Sequence, residues 1–183
     1  MQYHISPSTS RSATYPHSWF ILNLIIVHLF AFLIILEIGT AMSILMIPLV
    51  SMVILALLWR VAQRKQQAED WFVAAHWLQM TKRSKMLLIF YGVGFALGVF
   101  TYLMVGMSPL KGDNVTTIAL RMGAVPIFLG VLTTFVLSGG SIFDAQRGMI
   151  GDKLVQNFPP NESWLAQNPI THTDANAVKA HSL

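Results

Sequence analysis

This chain of 183 residues contains no cysteine. Disulfide bonds, thiolate metal sites and cysteine nucleophiles are therefore excluded. Charge is also scarce, because the four charged residue types together make up 11% of the chain, whereas about 25% is usual for a soluble domain. Hydrophobic residues make up 54%, and the mean hydropathy is +0.57. The sequence therefore predicts a membrane protein rather than a soluble domain.

Motifs that carry chemistry are missing as well. The sequence contains no glycine-rich phosphate loop, no HExxH and no paired carboxylates, and no serine or threonine has a base at a suggestive spacing. We therefore predict no catalytic residues, no metal site, no cofactor and no enzymatic activity. The net charge of +4 does not indicate nucleic acid, since six of the twelve basic residues fall within the single connector 60–85.

Four apolar runs are long enough to cross the hydrocarbon layer of a bilayer, which takes about 20 helical residues. They cover residues 19–36, 41–59, 86–107 and 118–140. The hydrophobicity is continuous rather than alternating, which excludes a transmembrane β-barrel. The predicted fold is an all-α integral membrane protein, with a four-helix membrane domain over 19–140. The flanking segments are predicted to be a flexible tail over 1–18 and a second tail over 141–183, mobile after about residue 158.

The basic residues predict the orientation of the four spans. Nine of them fall on one side and two on the other, and cytoplasmic loops carry the excess of lysine and arginine. Both termini and the central connector are therefore predicted to be cytoplasmic. The bacterial inner membrane is the predicted location, with the lipid bilayer as the first partner. The nine are Arg11, Arg60, Arg64, Lys65, Lys82, Arg83, Lys85, Arg147 and Lys153, and the two are Lys111 and Arg121.

The connector between spans two and three is predicted to contain an amphipathic surface helix over about 66–82. Its apolar side chains fall at helical spacing in one stripe, and basic residues follow it. Such a helix suits the membrane surface, where tryptophan is favoured and basic residues meet lipid headgroups. A second interpretation makes 66–85 a docking surface for a cytoplasmic partner. The predicted surface residues are Trp71, Phe72, Ala75, Leu78, Lys82, Arg83 and Lys85.

Polar residues inside the apolar runs are functional candidates, because burying them in hydrocarbon is costly. Asn23 and His28 lie in span one, about 140° apart if the segment is α-helical. Hydrogen bonding of His28 to another helix is the favoured interpretation. The alternative is a haem or metal ligand, although no other predicted span supplies a second histidine.

Glu37 and Arg121 form the predicted intramembrane polar pair. The predicted topology places Glu37 at the outer end of span one and Arg121 one turn into span four, at the same depth. A carboxylate and a guanidinium there satisfy each other, whereas either alone is costly. We expect an ion pair, or a small cluster with Asp113, whose role is either a structural clasp or a substrate or proton site.

Glycines in spans three and four are predicted to pack helices closely. Gly94 and Gly98 have the small-xxx-small spacing that brings two backbones together, and Gly123 and Gly130 in span four are the matching candidates. The partner of this face is either span four or a second protein.

Three functions compete at this stage. The first is a non-catalytic structural or accessory subunit of a secretion, transport or respiratory complex. The second is a small oligomeric transporter or channel, for which Asn23, His28, Glu37, Thr101 and Arg121 would supply the polar pathway. The third is a membrane enzyme or electron carrier that uses haem or quinone at His28.

Overall fold

The computed structural model describes residues 1–30, 33, 46–68, 70–107 and 113–172. Residues 31–32 and 34–36 of predicted span one lie outside these residues, as do Glu37 and Lys111. The described elements, in chain order, are β1 (Gln2–Tyr3), α1 (Pro7–Asn23), a π-helical segment (Leu24–Phe30), α2 (Met46–Ala68), α3 (Trp71–Gly106), α4 (Asp113–Gln146), α5 (Asp152–Asn157), α6 (Glu162–Gln167) and β2 (Ile170–His172).

Three helices are long and apolar enough to cross a membrane, namely α2, α3 and α4 over Met46–Gln67, Trp71–Val105 and Val115–Gln146. Their outward-facing side chains are large hydrocarbons, such as Ile89, Phe95 and Phe128, each about two-thirds exposed. An apolar exterior of this kind is expected where lipid replaces water. The prediction of a multi-pass helical membrane protein is therefore confirmed at this level.

The connector between α2 and α3 differs from the predicted surface helix. A break falls at Asp70, whose side chain accepts a hydrogen bond from the backbone N–H of Phe72 at 2.8 Å and so starts α3. From Trp71 the helix continues without interruption to Gly106, because its first 21 residues include neither proline nor glycine. Residues 71–82 are thus the first turns of the third long helix rather than a separate helix.

The apolar stripe of the connector is covered by protein. Phe72 and Ala75 are completely buried, and Trp71 and Leu78 are half-buried against the same core. The basic residues at the end of the stripe are Lys82 and Lys85, which are exposed, and Arg83, which is half-buried. The amphipathic pattern therefore does correspond to a buried face, but the face packs against the chain's own termini.

Both predicted tails contribute to this packing. Ser6 accepts a hydrogen bond from the Thr9 N–H at 3.1 Å and starts α1 at Pro7, twelve residues before the predicted first span. At the other end, β2 pairs antiparallel with β1. Residues 1–18, 70–85 and 141–172 together form a folded region at one end of the helices, which we call the terminal layer.

An aromatic cluster is the core of the terminal layer. The ring centroids of Tyr3, Trp71 and Trp164 are 4.7–5.5 Å apart, in tilted and edge-to-face arrangements. Trp164 donates its indole N–H to Asp70 at 2.6 Å, and Trp71 donates its own to the Phe158 carbonyl at 3.1 Å. One carboxylate oxygen of Asp70 therefore caps the start of α3, and the other accepts the hydrogen bond from Trp164 of α6.

Glycines bring α3 and α4 into backbone contact. A methyl group built on Gly94 would lie 2.5 Å from the Gly123 carbonyl oxygen, and one built on Gly98 would lie 3.4 Å from the Ala119 oxygen. One built on Gly130 would lie 2.5 Å from Cβ of Phe90. The glycine face of span three thus lies against span four of the same chain.

Gly94→Ala tests this contact. The added methyl group also approaches Ile127 Cγ1 to 2.6 Å, so we expect a loss of about 1–3 kcal/mol in the free energy of unfolding from overpacking. Thermal or denaturant unfolding of the protein in detergent measures the change.

Gly92→Ala is the matched control, because nothing lies within 4 Å of its added methyl group. Alanine favours helix over glycine by up to about 1 kcal/mol, so this variant should be neutral or slightly stabilised. Equal stability of the two variants would contradict the close packing of α3 on α4.

Candidate functional site

Two buried histidines join α1 to α3 in the terminal layer. The Nε2 atom of His17 lies 3.1 Å from Nδ1 of His76, and the two rings meet edge to face at 86°. Neither side chain is exposed to solvent. One nitrogen must donate and the other accept, so this contact requires at least one neutral imidazole.

The surroundings of the pair disfavour a proton on His17. Burial lowers the pKa of His17 well below its usual range, and the neighbouring His76 and Arg83 lower it further. The ring of Phe72 lies 4.8 Å from that of His76 on its apolar side. Among the described residues, no hydrogen-bond partner faces His17 Nδ1 or Arg83 Nη1, and the backbone of Met149 lies near the ring of His76. The pair is therefore a buried, neutral polar contact beside a cation.

Sequence reasoning did not single out these two residues. His17 lies in the segment predicted to be a flexible tail, and His76 lies in the connector. The available signal was the position of His76, four residues after the buried Phe72 and four before the buried Met80, which places it on the core-facing side of the helix.

A second polar cluster lies deeper in the bundle. Asn23 donates a hydrogen bond to the Ser51 hydroxyl at 3.0 Å, and both side chains are buried. His28 Nε2 is hydrogen-bonded to the Tyr91 hydroxyl, which is also a neighbour of Ser51. Residues from α1, the π-helical segment, α2 and α3 therefore meet at one place.

The π-helical segment explains why this cluster contains both Asn23 and His28. The sequence interpretation assumed an α-helix, in which residues five apart point in different directions. A π-helix closes i→i+5 hydrogen bonds, so residues five apart follow one another on the same side. The structure differs from the prediction here because Leu24–Phe30 is π-helical.

The fourth helix adds buried hydroxyl groups along one face. Thr134, Ser138 and Ser141 are fully buried at successive turns of α4. Thr134 donates to the Gly130 carbonyl at 2.8 Å. No partner among the described residues faces the hydroxyl groups of Ser138 and Ser141. A discontinuous series of polar groups therefore extends from the terminal layer into the bundle.

The predicted pair of Glu37 and Arg121 cannot be placed, since Glu37 is outside the described residues. Arg121 lies on α4 with its side chain exposed. Asp113, the third expected member, begins α4.

Metal-ligating residues do not cluster in the described part of the chain, where no group of three or more histidine, aspartate or glutamate side chains could hold an ion. The chain matches no protein-family model, no curated protein and no solved structure. The fold and the buried contacts define a membrane-embedded helical protein with a folded terminal layer.

The stability of the protein should depend on pH through the His17–His76 pair. Burial lowers the pKa of His17 and lowers that of His76 to about 4, so the unfolded chain takes up protons near pH 6.5, where the folded pair does not. Stability is therefore fully present above about pH 6.5 and lost as the pH falls below it. We expect the thermal midpoint in detergent to fall by roughly 3 °C or more towards pH 5, since 1 kcal/mol corresponds to about 2–4 °C at this size.

His17→Gln should reduce the slope of this pH dependence without abolishing it, because His76 remains buried, and should lower stability at neutral pH. The matched control is His4→Gln, which removes an exposed histidine of the same layer and should keep the slope. A slope unchanged in His17→Gln would contradict the assignment.

Tyr91→Phe tests the deeper cluster. Removing the hydroxyl group leaves the half-buried His28 without its partner, which should cost about 1–3 kcal/mol in the free energy of unfolding. Tyr102→Phe, at a half-exposed position of the same helix, should change stability little. Similar losses in both variants, measured by unfolding in detergent, would count against the hydrogen bond as a stabilising contact.

Proposed function

We propose that this protein is a non-catalytic structural or accessory subunit of a multi-subunit membrane complex, such as a secretion, transport or respiratory assembly. The observation that supports this most is how its polar surfaces are distributed. Polar side chains from different helices of the bundle contact one another in the Asn23–Ser51 and His28–Tyr91 pairs. Two open grooves, of about 360 and 660 Å³, both lie in the terminal layer. This pattern favours a protein that holds partners at one end of its bundle.

The proposed arrangement has four spans, with both termini and the terminal layer in the cytoplasm of a bacterial cell, at the inner membrane. Its support is the distribution of positive charge. The end of α2, the start of α3 and the end of α4 lie beside the terminal layer, and the basic residues of these segments collect there. They include Arg60, Arg64, Lys82, Lys85 and Arg147.

A second candidate function is transport by a small oligomer. The observation that favours it is the set of buried polar atoms that lack a described partner, from His17 through Ser141 and Ser138 to Asn23. Polar groups within membrane helices commonly mark ion or proton pathways. In this candidate the groups would exchange protons or bind a small cation when the helices move.

Purification of the tagged full-length protein in mild detergent, followed by mass spectrometry of the complex, tests the first proposal. We expect partner subunits at a fixed ratio to the chain. Trp164→Ala should release them, since it removes the aromatic core of the terminal layer and the bond to Asp70. Trp19→Ala, at a half-exposed position outside that layer, should retain them.

Recovery of the chain alone, or partners retained equally by both variants, would contradict the proposed subunit role. A homo-oligomer that moves protons or small cations across reconstituted vesicles, and loses this activity in His28→Ala, would instead establish the second candidate.

A further inference from the structure

The larger groove of the terminal layer, of about 660 Å³, lies between the start of α1 and the end of α4. Side chains from the first strand, the first two turns of α1 and the turn after α4 form its walls. The polar and basic lining residues that matter for binding are Gln2, His4, Ser10, Arg11, Thr14 and Arg147.

The charged residues that line this groove are both arginines. Arg11 and Arg147 are both exposed in it, and the lining residues include no aspartate or glutamate. Neither guanidinium makes an ion pair with any residue that the structure describes. The two acidic residues nearest to Arg147 along the chain are Asp144, whose charge acts on Arg83, and Asp152, which binds the Met1 amino group at 2.8 Å. The groove therefore carries two uncompensated guanidinium groups.

The wall that carries Arg147 is held in place by the N-terminal strand. Gln2 donates its side-chain N–H to the Arg147 carbonyl at 3.1 Å, and the Tyr3 N–H donates to the Gly148 carbonyl at 2.9 Å. Gly148 has a φ of +69°, which glycine adopts without strain. On the opposite wall, Ser10 donates to the Ala145 carbonyl at 3.0 Å. The chain segments that carry Arg11 and Arg147 are therefore joined to each other by hydrogen bonds.

Two guanidinium groups match the oxygens of a phosphate, because each guanidinium offers a planar fork of N–H donors. The hydroxyl groups of Ser10 and Thr14 already donate to backbone carbonyls, so the two arginines are the donors that remain. The position of the groove also favours a lipid source. Arg11 lies eight residues before Trp19, the start of predicted span one, or about 12 Å along a helix. An arginine side chain at that height reaches the headgroup region, which extends several Å beyond the hydrocarbon.

We propose that this groove binds the phosphate group of an anionic lipid headgroup, with Arg11 and Arg147 as its two principal ligands. Free inorganic phosphate has the same chemistry and is the alternative source of the ligand. The site is independent of whether the protein is a subunit or a transporter.

The test compares binding of three probes to the full-length protein in neutral detergent: phosphatidylglycerol, phosphatidylcholine and inorganic phosphate. We expect phosphatidylglycerol to remain bound in native mass spectrometry and to raise the thermal midpoint, and phosphatidylcholine to do neither. Arg11→Gln with Arg147→Gln should weaken binding by about tenfold or more, because charge-assisted hydrogen bonds contribute on that order each. Both residues are exposed, so the midpoint without lipid should stay the same.

Arg60→Gln with Arg64→Gln is the matched control, since it removes two exposed arginines of α2 and changes the net charge equally. It should bind phosphatidylglycerol as the unaltered protein does. Inorganic phosphate that binds as well as the lipid, with the same loss in the groove variant, would assign the groove to free phosphate. Equal weakening in both double variants, or no difference between the two lipids, would overturn the proposal.

Discussion

The constraint on which this structure depends is that its long helices face outward with hydrocarbon, so polar side chains inside the bundle gain stability by pairing with one another. Asn23 with Ser51, His28 with Tyr91, and Trp59 with Ser84 each join two different helical segments. In water such contacts compete with solvent and contribute little. In an apolar bundle each unpaired group is costly, so these pairs determine which helix faces which. The glycine contact between α3 and α4 then sets how closely those two helices approach.

The terminal layer is stabilised by other contacts, because it is built from aromatic and polar side chains at the end of the bundle. Its organisation depends on Asp70, which starts α3 and binds the indole of Trp164. The His17–His76 contact joins the beginning of α1 to the same part of α3. Segments far apart in sequence thus meet on one helix, and the larger of the two grooves that they leave open is lined by two arginines and by no acidic residue.

The sequence predicted the membrane class and α2, α3 and α4, because long apolar runs indicate that lipid rather than water surrounds the helices. The close contact of Gly94 with Gly123 could be named in advance as one of two alternatives, since the spacing reveals a packing face but not its partner. The continuity of α3 through Lys82–Lys85 was missed because lysine and arginine are common both within a helix and at a membrane interface. Their presence therefore does not indicate whether a helix ends there. The π-helical segment has no sequence signal that we recognise, and without it Asn23 and His28 cannot be placed together. The folded termini were missed because the composition of 1–18 and 159–172 resembles that of a loop, and their order depends on contacts with Trp71.

The length of α3 determines how much of it lies outside the membrane. Its 36 residues measure about 54 Å, whereas the hydrocarbon of a bilayer is about 30 Å thick, and it contains no proline at which to bend. An untilted α3 therefore extends about 24 Å, or about 16 residues, beyond the hydrocarbon. Segment 71–85 of the terminal layer has about that length, so one straight helix is long enough both to cross the bilayer and to supply part of the folded layer outside it.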